Sequence, residues 1–486
     1  MHLTPQGEKG GSPFPAWDGA QIFMERNKRL KFAKAVPGAE AQDFYPVPWD
    51  KVASETLQHF QALLRLDTTS PPGNETRVAE YLKKALEQEG ISATLLALDP
   101  KRANLVARIR GNGSKRPILV MGHTDVVGVQ REKWSVDPFA AVRKDGYIWG
   151  RGAQDDKDNV TAGLMLMLLL KRQGVKLDRD VIFLAEAGEE GYAKEGLKYV
   201  MEQHWDQIDA EFALAEGGDG IIKDGKVRYL RVATSEKYRW GIQLLARGSA
   251  GHGSMPRPDN AIVRLSKAIS KLAAYVPPMR LNETTRTYFE RLAKISSPEA
   301  EARYRDILHP QKQSEVENYF AEHEFRHNSM IRTTIAPTLF KGGFRGNVIP
   351  SEAEALIDIR ALPDEDIPKF ERKLREIIAD PHVEIKPMPG RDPAPASCID
   401  TEMFKALEKV KDHLYPGTVI LPLTLTGASD LSPLRAKGVQ AYGIGPLIET
   451  DEEGGAHADN ERILEKSLYD LVKLQWYAVL EVAASK

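Results

Sequence analysis

Cysteine is almost missing from this chain: Cys398 stands alone among 486 residues. A single thiol excludes an internal disulfide and leaves the compartment open. A surplus of one charge is missing as well. Lys and Arg total 67 against 69 Asp and Glu, a formal charge of -2. That balance gives no bulk argument for nucleic acid or an acidic membrane surface as a partner. No apolar run reaches the roughly 18 residues that a membrane span needs. The densest stretch, Leu164 to Leu170, runs straight into Lys171 and Arg172 and reads as a buried helix. Residues 1–48 lack the apolar segment of a signal peptide; they are Gly- and Pro-rich around a basic run from Lys28 to Lys34. They read as an extended arm on the surface, or as the mature start of a processed protein. A soluble protein is expected, with cytoplasm, periplasm and secretion all left open.

The composition that is present, 42% hydrophobic and 28% charged, is that of a globular protein. The length exceeds one ordinary core, so two domains, or one domain with an insertion, are expected. Helical periodicity marks Trp49 to Leu66, Thr76 to Glu89 and Lys157 to Lys171. Strand-like runs fall at Asn104 to Ile109 and Pro117 to Met121. Asp180 to Ala185 and Glu211 to Ala215 are continuous apolar runs, the pattern of strands buried on both faces. This alternation predicts an α/β sheet with helices on both sides. The character changes near Glu236. A strand at Tyr238 to Ala246, a helix at Asn260 to Tyr275 and one long polar helical stretch from about Glu283 to Glu322 come next. A strand at Ala353 to Arg360, a helix at Asp366 to Ala379 and a strand at His382 to Lys386 complete the segment. The expected layout is an α/β domain in two parts, 49–235 and 388–486, with a smaller α+β domain inserted at 236–387. The second part holds a helix from Glu402, strands at Thr418 to Pro422 and Val439 to Ile444, and a C-terminal helix from Asn460.

Five scattered segments carry residues that bind or serve metals: Gly122-His123-Thr124-Asp125, Gly150 to Asp155, Gly188-Glu189-Glu190-Gly191, Ala215-Glu216-Gly217-Gly218 and Ala456-His457. His123 follows an apolar strand, and ligands gather beyond the carboxyl ends of strands in open α/β sheets. Asp125 is placed to accept the second ring N–H of His123. Asp155 suits a carboxylate shared between two cations, which sit roughly 3.5–4 Å apart in two-metal sites. Asp156 and Asp158 read as an acidic helix start favoured by the helix dipole. Glu189 and Glu190 are costly side by side at a strand end unless something neutralises them, and one ligand with one general base is the sharper reading. Singly, each has an ordinary explanation as a turn or loop residue. Asp, Glu and His together suit zinc, with cobalt or manganese as substitutes.

These segments resemble the M20 metallopeptidases and amidohydrolases, from about Trp49 to the C-terminus. The His-x-Asp, the Gly-Arg-Gly-Ala-x-Asp, the Glu-Glu-Gly and the late His are all present. Asp156-Lys157-Asp158 stands where Met-Lys-Gly is usual, and Ala215 where Asp often precedes Glu216. The resemblance implies a zinc-exopeptidase-type catalytic domain with a mixed central sheet, and a ferredoxin-like inserted domain serving as lid and dimer interface. It implies two zinc ions per subunit. Asp155 would bridge them, His123 and Glu216 would bind one ion, and Glu190 and His457 the other. Glu189 becomes the general base and Asp125 the orienting carboxylate. The Asp155–Asp156 peptide is expected to be cis. Gly251-His252-Gly253 resembles a lid motif whose His stabilises the oxyanion, usually at the partner subunit's site. Asn347 and Arg360 resemble a substrate clamp, and Gly427 and Ser429 a substrate-side loop.

The expected reaction is amide hydrolysis of peptides or N-acyl amino acids with a free carboxylate. The long helical insertion and Leu66 to Gly73 resemble the carboxypeptidase-S and acyl-amino-acid branch. A dipeptidase or aminopeptidase is the nearest alternative, and a silent metal-binding protein a rival from another class. His323-Glu324-Phe325-Arg326-His327 also spells a zinc-protease signature. Its polar setting and the breakers Pro337, Gly342 and Gly343 argue for a solvated helix end instead. Neither Ser249 nor Ser254 has the elbow of a serine hydrolase, and Cys398 reads as buried or inert rather than as a nucleophile.

Overall fold

The computed structural model describes residues 45–191, 194–390, 392–449 and 455–485. The arm expected over 1–48 falls outside them up to position 44. The acidic positions 450–454 before His457 fall outside them too.

A ten-stranded mixed sheet forms the larger layer. Its order is Ala93–Leu96, Asn104–Ile109, Val181–Glu186, Ile118–His123, Phe212–Ala215, Gln440–Gly443, Lys226–Glu236, Asp219–Lys223 and Leu447–Ile448, with Val419–Leu425 also paired to Lys226–Glu236. Its centre is parallel. Ile118–His123 runs parallel to both Val181–Glu186 and Phe212–Ala215, and Gln440–Gly443 parallel to Phe212–Ala215. His123 pairs with Glu186 in register, so these strands end along one edge. Every residue of Ile118–His123 and Val181–Glu186 is buried. Such strands need apolar cover on both faces. Lys157–Gln173 supplies it on one side, buried from Lys157 through Leu170. Gly163 permits the contact, because a Cβ there would stand 2.4 Å from the Phe183 ring.

The second sheet is antiparallel. Val383–Pro387 pairs with Ile242–Arg247, which pairs with Glu352–Ala361, which pairs with Thr334–Gly342. Tyr238–Arg239 continues the Ile242–Arg247 edge in the same register, interrupted at Trp240-Gly241. Alternation decides its two faces. Ile242, Leu244, Ala355, Ile357 and Ile359 pack under the helices Ala261–Ala274 and Ile367–Ile378. Asp358 and Arg360 point the other way.

Three expectations need correction. Glu283 to Glu322 is three short helices rather than one polar stretch, Glu283–Ala293, Pro298–Asp306 and Gln313–His323, and a fourth, Phe325–Met330, follows. Pro298 begins the second helix at a position where its missing N–H is harmless. These helices close around Tyr288, Phe289, Tyr304 and Phe320, and that core includes Leu421 and Leu423 of the large sheet. Pro337 does not break the chain, since it lies in the nine-residue strand Thr334–Gly342. The C-terminal helix starts at Glu465, because Arg462–Leu464 is a strand paired with Tyr147–Trp149.

Candidate metal and catalytic site

The five segments meet. His123 ends its strand and is buried. Its ring Nδ1 lies 3.1 Å from the Asp125 carbonyl oxygen and 3.4 Å from the Asp125 carboxylate. Its Nε2 lies 2.8 Å from Asp155 Oδ1. His457 arrives from the far end of the chain, with Nε2 3.2 Å from Asp155 Oδ2 and 2.9 Å from Glu190 Oε2. One carboxylate is thus flanked by two imidazoles, one on each oxygen. Ligand atoms of His123, Glu189 and Glu216 lie within 4.8 Å of one another, as do those of His123, Asp155 and Glu190.

The electrostatics are those of an anion-rich pocket. Withdrawal from water and the neighbouring Asp155 carboxylate push Glu216 well above the usual carboxylate range. Burial opposes charge on His123, yet Asp125 and Asp155 at its two nitrogens hold its pKa well above that of free imidazole. Hydrogen bonds to Asp155 and Glu190 raise His457 to about 10. Imidazole and carboxylate donors pressed together in this way fit divalent cations of the zinc type, which take N and O ligands and neutralise the surplus.

The remaining predicted residues divide. Asp125 accepts from the backbone N–H groups of Glu189 and Glu190 at 3.0 and 3.2 Å, so it fixes that pair as well as His123. The Asp155–Asp156 peptide is cis. His252 is exposed, with Nδ1 2.7 Å from Ser254 Oγ, and no described contact joins it to the cluster. Asn347 is exposed beside it, its carbonyl accepting from Gly253 N at 2.8 Å. Arg360 is half-buried on the second sheet and donates to Asp358 at 2.9 Å. Gly427 is half-buried, whereas Ser429 is turned inward, its N–H and hydroxyl both donating to Glu236.

Several residues were missed or misread. Asp156 and Asp158 do open the helix Lys157–Gln173, at its N-cap and first turn, but both are also fully buried, which an ordinary acidic helix start is not. Asp156 Oδ2 accepts from the His123 N–H at 3.1 Å. A Cβ on Gly122 would stand 2.7 Å from that oxygen, so the glycine admits the contact. Glu461 and Arg151 form a buried pair at 2.6 Å joining the Asp155 turn to the His457 loop. Asp-Asn-Glu after His457 was the available signal. The zinc-protease signature is broken at Glu324, where one helix ends and another begins. His323 is exposed, while His327 contacts Glu324 and lies 3.0 Å from the Tyr288 hydroxyl inside the aromatic core. The solvated helix end holds at His323, whereas Glu324 and His327 form a half-buried polar pair.

A family-level sequence profile described as peptidase family M20/M25/M40 matches residues 119–481, a span that contains every candidate ligand. The chain belongs to this family. It is therefore a hydrolase of amide C–N bonds. It is 29% identical to the human N-fatty-acyl-amino acid synthase/hydrolase PM20D1 over 74% of this chain and 73% of that one. It is 29% identical to the probable carboxypeptidase S-like 2 of Dictyostelium discoideum over 75% and 72%. Its fold is similar to that of the M20 metallo-carboxypeptidase Sso-CP2 from Sulfolobus solfataricus, with a TM-score of 0.68 at 21% identity, covering 88% of this chain and 98% of that one. No described helix is long and apolar enough to cross a membrane.

Proposed function

We propose that this M20 hydrolase cleaves amide bonds in N-acyl amino acids or short peptides with a free carboxylate, using two divalent cations per subunit. The observation that carries the reading is the aim of His123 and His457 at separate oxygens of Asp155. Asp155 would be the shared ligand, with His123 and Glu216 on one ion and Glu190 and His457 on the other. Zinc is the first choice for these donors, with cobalt or manganese as substitutes. When bound, such ions lower the pKa of water from about 16 to about 7 and polarise the scissile carbonyl.

The chain's own residues supply the rest. Glu189 takes a proton from the attacking water at its carboxylate and returns it to the leaving amine nitrogen. Asp125 fixes the Glu189 backbone and so the position of that base. Arg360 and Asn347 hold the substrate carboxylate, the guanidinium fork matching two oxygens. Gly427 would face the substrate from the large sheet, with Ser429, bonded to Glu236, holding that loop from behind. His252 donates to the developing oxyanion. Since His252 lies apart from its own cluster, it serves a second copy of the chain in a homodimer built through the second sheet. Closure of that sheet over the site excludes water. The relatives named for fatty-acyl amino acids and for carboxypeptidase S favour this substrate class over a dipeptide.

The test is hydrolysis of N-acyl amino acids and dipeptides before and after chelation, with Glu189→Gln as control. Chelation is expected to abolish turnover. Glu189→Gln should lower kcat about 10²–10⁴-fold with metal content retained. Turnover that survives both treatments would end the two-metal reading.

A further inference from the structure

Lys237 stands where the chain crosses from the large sheet into the second one. Its backbone N–H donates to the Leu425 carbonyl of the large sheet at 2.9 Å. Its side chain is fully buried. The ammonium donates to Thr334 Oγ1 at 2.9 Å, to the Ser329 carbonyl at 3.0 Å and to Ser329 Oγ at 3.4 Å. All three acceptors are neutral, and a buried cation without a carboxylate beside it is expensive. Thr334 is the residue paired directly across from Arg360, so the ammonium is bonded to the side chain next to the guanidinium. On its other side Arg360 is paired with Arg239, and Asp358 lies 2.9 Å from the one and 3.3 Å from the other. Burial and the nearby Arg360 charge, with Asp358 opposing at longer range, lower the Lys237 amine to about 7. An anion arriving at Arg360 would relieve that penalty.

We propose that Lys237 is a positioning residue for substrate selectivity. It anchors the segment from Ser329 to Thr334 behind Arg360 and adds positive potential where the carboxylate of the substrate docks. Being buried, it does not touch the substrate. It acts through Thr334 and Arg360, and this rests on the proposed capture of a carboxylate by Arg360.

The experiment compares an N-acyl amino acid with its carboxamide, using the metal-loaded full chain and either Lys237→Met or Thr334→Val. Met keeps the buried stem and removes the charge. The selectivity, kcat/KM for the acid over the amide, is expected to fall about tenfold in Lys237→Met, through KM for the acid. Thr334→Val keeps the charge but loosens the anchor, and should lower selectivity two- to threefold in the same direction, about tenfold being the ceiling. It also serves if Lys237→Met fails to fold, as judged by thermal unfolding. Equal losses on acid and amide, with the ratio preserved, would mean a merely structural lysine and would overturn the proposal. An unmodified enzyme that cleaves acid and amide equally well would instead overturn the carboxylate reading beneath it.

Discussion

The pair Arg151–Glu461 offers the sharpest perturbation, because two buried side chains join segments more than 300 positions apart in sequence. Glu461 is fully buried. One of its oxygens accepts from Arg151 Nη1 at 2.6 Å and Gly152 N at 3.1 Å, the other from Gln154 N at 2.8 Å. Arg151 in turn reaches the His457 carbonyl at 3.4 Å. Glu461→Gln keeps the shape but turns an amide N–H toward one of these donors and leaves the guanidinium without its anion. Breaking a buried pair from one side costs about 3–5 kcal/mol. Burial pushes the Glu461 carboxyl up to about 7, with Arg151 opposing. Three N–H donors around two oxygens are a geometry only the carboxylate satisfies, so the assay belongs at pH 8, where it is ionised. Urea unfolding there should give a loss of about 3 kcal/mol at unchanged m. Metal retained after dialysis should fall as well, because the Asp155 turn and the His457 loop are no longer held together. A variant within about 0.5 kcal/mol of the parent, the range of an ordinary surface change, and with the parent's metal content, would refute the argument.

Other consequences are simpler. Glu55 is held at about 2: burial works against its charge, but hydrogen bonds from Arg172 and His59 prevail. Its folded pKa lies below the unfolded one, so its contribution is present above about 4.5 and is lost as pH falls toward 2. Arg172→Gln should flatten that part of the acid-unfolding curve. His323→Ala and His327→Ala should both leave metal content and turnover intact, since neither residue is near the cluster. By thermal unfolding His323→Ala should be near neutral, while His327→Ala should cost about 1–3 kcal/mol for the buried Tyr288 hydroxyl it strands. Phe320→Ala should cost about 3–5 kcal/mol by urea titration, because the ring is fully buried and stacked 5.6 Å from Phe289.

The large sheet was readable because its central strands are continuously apolar and end in chemistry. Asn104 to Ile109 matches to the residue, and the expected strand at Asp180 to Ala185 is shifted by one. The 11-residue strand Lys226–Glu236 was not readable, because Lys226, Arg228 and Arg231 interrupt any apolar run. Thr334–Gly342 was hidden for a similar reason. It is an edge strand whose residues are exposed or half-exposed, so it lacks a buried face to pattern. The four helices from Glu283 onward looked polar because each contributes only a few apolar residues, aromatic and aliphatic. Those residues meet from different helices and from Leu421 and Leu423, which a single-helix reading cannot reveal. In the site, the donors were legible and their supports were not. His252, exposed in this chain, was legible only as a motif.

Those supports share one physical cause. The candidate ligands lie at the ends of strands or in the loops that leave them, where the sheet ladder gives way and backbone N–H groups need other acceptors. A buried N–H without an acceptor costs about 1–3 kcal/mol. In three places a buried carboxylate fills the need: Asp156 for His123, Asp125 for Glu189 and Glu190, and Glu461 for the turn before Asp155. A carboxylate does this better than a carbonyl, because two oxygens serve two donors and its charge strengthens both bonds. It also adds negative potential around donors that must meet cations. The dense run of acids that looks excessive in the sequence is therefore two populations, one facing the site and one holding the loops that carry it. Replacing a member of the second should shift ligand positions before it changes ligand chemistry. Asp125→Asn, which keeps one acceptor oxygen, should accordingly weaken metal retention less than Asp125→Ala, and equal losses in a metal-content titration would show that the charge alone matters.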